Sequence, residues 1–155
     1  MMINDPIFGE LEYEYGWIKD TTIRFLGKEV QITLMIDGEE EGMFDENQYT
    51  AYQSFIKNWD NLQPSLLQSI IDYYNQKQHE LGNDSGLNEH YPLIKTVDQI
   101  LDMITLDGIV VPYADIFEGR DIRMTFNCTW DMENGLGIRL LNEKVVEVGY
   151  QDVAI

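Results

Sequence analysis

The stretch IRMTFNCTW, residues 122–130, alternates throughout: Ile122, Met124, Phe126, Cys128 and Trp130 fall on one face, Arg123, Thr125, Asn127 and Thr129 on the other. Successive side chains of an extended chain point to opposite faces, so this period of two predicts a strand with one face in a core. Working outward, DMENG (131–135) supplies turn residues, and Leu136, Ile138 and Leu140 resume the alternation. Asn142-Glu143-Lys144 turns once more into residues 145–150, and residues 109–112 form a short apolar run upstream. The beginning of the chain has the same character. Leu11, Tyr13, Tyr15 and Trp17 share one face against Glu12, Glu14 and Gly16, and Ile23 and Phe25 repeat the pattern before a turn at Gly27-Lys28. Val30, Ile32, Leu34 and Ile36 follow, largely β-branched, and Asp37-Gly38 ends the run.

The middle third changes period. Asp45 with Gln48 three residues on has the form of a capping box, and Tyr49, Tyr52, Ile56 and Trp59 then recur at helical spacing, with Phe55 beside them. Asp60-Asn61 reads as an interruption, and Pro64 suits the first turn of a second helix. Its stripe is Leu66, Leu67, Ile70, Ile71 and Tyr74, and Gly82 is its stop. Residues 82–90 read as a polar loop. Thr96 and Gln99 cap a short third helix carrying Ile100, Leu101 and Ile104. Strands, helices, then strands predict one α+β domain over residues 1–155. Its mainly antiparallel sheet is built from N-terminal and C-terminal meanders, covered by a central helical hairpin and the short third helix.

The 155 residues carry 10 Lys+Arg against 28 Asp+Glu, a formal net charge of -18. Such a field repels phosphate backbones and anionic lipid surfaces, which argues against nucleic-acid and membrane partners. Hydrophobic residues at 44% are enough for a core, which argues against disorder. One cysteine excludes an intrachain disulfide. Residues 1–9 lack the basic and apolar regions of a secretory leader, and the apolar runs are too short to cross a bilayer. A soluble cytoplasmic protein is expected.

The acids concentrate in one place: Asp37, Glu39, Glu40, Glu41, Asp45 and Glu46 follow one another with no Lys or Arg between. Read as a calcium loop over residues 37–48, Asp37, Glu39 and Glu41 would supply oxygens and Gly42 the sharp turn. The twelfth position, however, is the uncharged Gln48 rather than Glu, and a strand precedes the loop instead of a helix. The plainer reading is a solvated connection whose acids favour the following helix N-terminus. Cys128, on the apolar face of its strand, reads as a small core residue with a raised pKa and poor access. His79 and His90 have no ligand spacing to it. Carboxylate pairs such as Asp131 with Glu133 and Asp115 with Glu118 are expected by chance among so many acids. Gly135-Leu136-Gly137 resembles a piece of a dinucleotide motif but opens a strand, not a helix. Nothing in the sequence calls for a cofactor. The aromatics Tyr13, Tyr15, Trp17, Tyr49, Tyr52, Trp59, Tyr73, Tyr74 and Trp130 exceed what a small core needs, so some are expected at the surface beside carboxylates, as on a protein-binding face. The alternative is that they complete the core.

Several segments resemble a bacterial family known only as a domain of unknown function: residues 5–11 (DPIFGEL), Trp59-Asp60, residues 104–109 (ITLDGI), residues 130–137 and residues 147–154. The resemblance implies no established activity. Relatives carry His before the Gly-Leu-Gly element where this chain has Asn134, so any chemistry of that histidine is not expected here. In style the family is similar to small acidic proteins that guard bacteria against secreted toxins. The reading is a non-catalytic, immunity-like interaction module for a basic protein, with Trp17, Asp37, Glu39, Glu41, Asp131 and Glu133 as candidate contacts. Weak calcium binding by residues 37–48, a hydrolytic enzyme using a carboxylate pair, and a homo-oligomer remain alternatives.

Overall fold

The structure, a computed structural model, describes residues 1–82, 91–113 and 119–154. Strands β1 (Met2–Asp5), β2 (Gly9–Tyr13), β3 (Trp17–Phe25) and β4 (Lys28–Ile36) form one antiparallel meander. Strands β5 (Ile104–Val111), β6 (Asp121–Cys128), β7 (Leu136–Leu141) and β8 (Lys144–Gly149) form a second. The two halves join side by side in one eight-stranded sheet whose spatial order follows the chain. The join is the single parallel pair, β4 with β5, which places Ile36 opposite Val111. A parallel pair needs a long crossover. Helices α1 (Glu46–Lys57), α2 (Trp59–Glu80) and α3 (Val97–Leu101) supply it. The mainly antiparallel α+β architecture expected from the sequence is the one observed.

The sheet has a core face and an opposite face on which, among the described residues, no α-helix packs. Ile32, Leu34, Ile36, Ile109, Val111, Ile122, Met124 and Phe126 are buried on the first, where α1 lies against β5 and β6 and α2 against β8. At residues 122–128 the alternation worked as expected, and Trp130 is buried just beyond the strand.

Four local readings need correction. The run from Leu11 to Trp17 is two strands. Tyr15 sits at the tip of the turn between them with φ 65 and is 100% exposed, because the reversal at 14–16 takes it off the face shared by Leu11 and Trp17. The stripe of α1 is Gln48, Ala51 and Phe55, continued by Trp59, whereas Ile56 faces out. Asp60-Asn61 do not interrupt: the one non-helical residue is Asn58, leaving no room for a hairpin loop, and Pro64 falls in the second turn of α2. Tertiary anchors set that start. The Trp59 indole N–H donates to the Arg24 carbonyl at 2.8 Å, and its ring packs on Phe25 and Phe55. Finally, β5 begins at Ile104, not Ile109. A bulge between Leu106 and Gly108 shifts the register and hides the alternation from a sequence reader. Strand β1, four residues long, was not anticipated. The expected loop at 82–90 is described only at Gly82, where φ is +68 and the N–H bonds the His79 carbonyl at 3.0 Å. Residues 83–90, including His90, lie outside the described residues.

Gly135-Leu136-Gly137 has a packing explanation. After β8 the chain folds back as a 3₁₀ turn (Gln151–Ala154) against β6 and β7. A Cβ on Gly137 would strike the Tyr150 carbonyl, and one on Gly135 the Gln151 side chain. Gln151 donates from Nε2 to the Phe126 carbonyl at 2.8 Å, and Ala154 is wholly buried. Gly137 thus permits the close backbone approach, and Gly135 leaves room for the Gln151 side chain.

Candidate functional site

Three connections converge at the end of the sheet where β4 finishes: the 14–16 turn, residues 37–45, and the chain leaving β5. The sequence organises the second of these around Gln48. Its Oε1 accepts from the Asp45 N–H at 2.9 Å, forming one half of the capping box. Its Nε2 donates to the Asp37 carbonyl at 2.8 Å. Both ends of the amide are therefore engaged in holding the loop, and the position that a calcium loop needs as its bidentate ligand is a buried structural tie. Among the described residues no group of three or more His, Cys, Asp or Glu gathers as a metal site.

Trp17 is 0% exposed, so its expected role as a surface contact is corrected. Instead it forms the platform of the loop. Its indole N–H donates to the Glu39 carbonyl at 2.8 Å, and Gly42, at φ +72, fits closely against Trp17 and Ile3. The loop bends on this platform with Glu39, Glu40, Glu41, Asp45 and Glu46 pointing outward. Glu39 also accepts from the Tyr113 hydroxyl at 3.1 Å. Burial, with that bond, pushes the Tyr113 phenol above its ordinary value. Asp37 is half-buried. Burial raises its pKa, against the lowering effects of the Tyr113 backbone N–H and the Arg123 charge. Fully exposed Tyr15 stands at the tip of the neighbouring turn.

Asp131 and Glu133 belong elsewhere. They occupy the β6–β7 turn, at the far end of the eight-residue strand β6, roughly 25 Å from the Asp37 end at ~3.3 Å per residue. Asp131 is engaged locally: Oδ1 accepts from the Asn134 N–H at 3.1 Å and its carbonyl from the Gly135 N–H at 2.9 Å. Of the six expected contacts, the structure thus groups Trp17, Asp37, Glu39 and Glu41 and separates Asp131 and Glu133. The Asp115–Glu118 pair lies outside the described residues.

Most of the aromatic surplus is interior. Phe8 packs against Phe44, Tyr49 and Tyr52, and Tyr74 against Tyr91 and Trp130. Cys128 is buried, and burial pushes its thiol up to about 11, which disfavours the thiolate at neutral pH.

Sequence reasoning missed three buried charges, Asp5 and the pair Asp121 and Arg123. Asp5 accepts at Oδ1 from the N–H groups of Ile7 and Phe8, at 2.9 and 2.8 Å, and at Oδ2 from the Tyr49 hydroxyl at 2.6 Å. It builds the β1–β2 turn, and Tyr49, through burial and this acid, is pushed to about 12. The Asx-turn pattern Asp5-Pro6 was the available signal. Arg123, only 7% exposed, lies on the helix-free face and pairs with Asp121 at 3.3 Å. Their two-residue spacing in a strand put them on one face, but nothing in the sequence said that this face would be covered there.

A family profile for a domain of unknown function, DUF6985, matches residues 7–155. The chain belongs to that family. Neither curated proteins nor solved structures gave a match. The DUF6985 match begins in the turn that Asp5 caps and includes the glycines under the C-terminal turn. Two of the segments behind the resemblance are therefore architectural, as the Asp5 hydrogen bonds and the Gly137 contact indicate. Among the described residues no helix is long and apolar enough to cross a membrane.

Proposed function

We propose that this protein is a non-catalytic module that binds a basic protein through the Asp37 end of its sheet. The observation that carries the reading is Tyr15. It is a fully exposed aromatic residue on a left-handed backbone, beside Glu14 and the outward acids of the 39–46 loop. A left-handed non-glycine residue costs of order 1–3 kcal/mol, and packing gains nothing from a side chain wholly in water. Tyrosine is among the residues that anchor interfaces. A net charge of -18 steers a cationic partner toward such a surface and makes encounter salt-dependent. Occlusion of a basic partner in the manner of immunity proteins fits this chemistry, by analogy of style alone.

The test is capture from lysate of the source cell by wild type, Tyr15→Ala and a Glu39→Gln/Glu40→Gln/Glu41→Gln variant. The expected result is a basic protein retained by wild type at about 50 mM salt, released near 500 mM, and weakened in both variants. Retention that ignores both salt and the substitutions would overturn the reading.

A further inference from the structure

The helix-free face of the sheet contains a cleft of about 390 Å³. Its floor consists of two cross-strand rows, Thr33–Gly108–Thr125 and Met35–Val110–Arg123. The C-terminal turn contributes Gln151 and Ala154, and Asp37 and Asp107 also line the space. Gly108 is what keeps the floor low. A Cβ there would approach the Thr125 hydroxyl at 2.9 Å and the Thr33 carbonyl at 3.2 Å. The volume is near the lower end of the ~300–1,000 Å³ that hold small ligands, and is ample for one long side chain.

The lining is apolar along Met35, Val110 and Ala154 and negative around them. Asp37 and Asp107 line the cleft, and Asp20 sits beside it, accepting from the Thr33 hydroxyl at 3.1 Å. Arg123 in the lining pairs with Asp121 at 3.3 Å and its charge also reaches Asp37, so the acidic excess comes from Asp37, Asp107 and the neighbouring Asp20 taken together. An apolar bed with an acidic end is complementary to an alkyl chain ending in a cation. We infer that this cleft receives a lysine or arginine side chain of the protein partner, its stem on Met35 and Val110 and its cationic head at Asp37. This rests on the reading of the protein as a module for a basic partner, and extends it from a rim of charge to an anchoring pocket. Asp37 joins the two, since it belongs both to the cleft and to the connection carrying Glu39.

The probe is n-butylguanidinium, titrated into the 15N-labelled full chain while the amide signals of Gly108 and Thr125 are followed. Butyrate and butanol, of the same chain length, are the controls. Saturable shifts with the cation alone are expected, with binding about tenfold weaker in Asp37→Asn and in Val110→Trp, which fills the cleft. Glu10→Gln, at an exposed position of β2, should bind as wild type does. No saturable shift, or an equal response to butyrate, would overturn the inference. A basic protein captured equally by wild type and Val110→Trp would sink the cleft and leave the interaction reading standing. Cation binding in the cleft without capture of any basic protein would overturn the interaction reading and, with it, the assignment of a protein side chain as the occupant.

Discussion

Asp5 is the residue on which the β1–β2 turn depends. Replacing it with Ala strands two backbone donors and the Tyr49 hydroxyl in a part-buried setting. Unsatisfied groups of this kind cost about 1–3 kcal/mol each. Asp5→Ala should therefore lose about 3 kcal/mol in urea denaturation, and Tyr49→Phe, which removes one partner, about 1 kcal/mol. Equal, negligible losses would show that the turn is held by something else. Asp37 behaves in the opposite sense. Burial raises its folded pKa, so between 3.8 and that raised value the native state holds more protons than the unfolded chain. Stability contributed by the protonated form is lost as pH rises through this window, and the carboxylate costs stability at neutral pH. Asp37→Asn should raise the melting temperature at pH 7 and leave it unchanged below pH 3.8, as calorimetry at the two values will show. These two acids also mark the limit of legibility. Both are plain in the sequence, but whether an acid is buried and what donates to it depend on partners such as Tyr49 and Tyr113, 44 and 76 positions away.

At the scale of the element, patterns of period two were readable wherever the strand was regular, as in β4, β6 and β7. They failed where backbone irregularity reset the phase, at the 14–16 turn and the bulge before Gly108. The capping residues of α1 and α3 were readable because that chemistry is local: Gln48 Oε1 takes the Asp45 N–H, and the Thr96 hydroxyl takes the Gln99 N–H at 3.3 Å. The start of α2 was not, since Trp59 is fixed by Arg24 from β3. The C-terminal turn gives a prediction of its own. Gly137→Ala drives a methyl into the Tyr150 carbonyl, which is backbone and cannot rotate aside. Overpacking of this type costs about 1–3 kcal/mol. The variant should unfold earlier in urea and expose residues 151–154 to faster amide exchange. Wild-type exchange there would mean that the turn does not need the glycine.

For the whole molecule, the excess of acid divides into two populations. Some members are structural: Glu143 is one, at φ 61 in the β7–β8 turn. Burial alone would raise its pKa, but hydrogen bonds from Arg120 and Ser54 hold it below the usual range. In the 39–46 loop the acids are exposed, with Glu39 accepting from the Tyr113 hydroxyl and Asp45 in the capping box of α1, and under the proposed function it is this exposed group that a partner would meet. Tyr15→Ala separates the two roles. It removes an exposed ring from a strained turn, so stability should change by less than about 1 kcal/mol while capture of the partner falls. The most direct measurement of the central claim is the association rate with that partner by stopped flow, across ionic strengths from about 20 to 500 mM. A fall of ten-fold or more, as expected for electrostatically steered encounter, with the steepness reduced in the Glu39→Gln/Glu40→Gln/Glu41→Gln variant, is the expected result. A rate that stays flat with salt, or a slope identical in the variant, would contradict it.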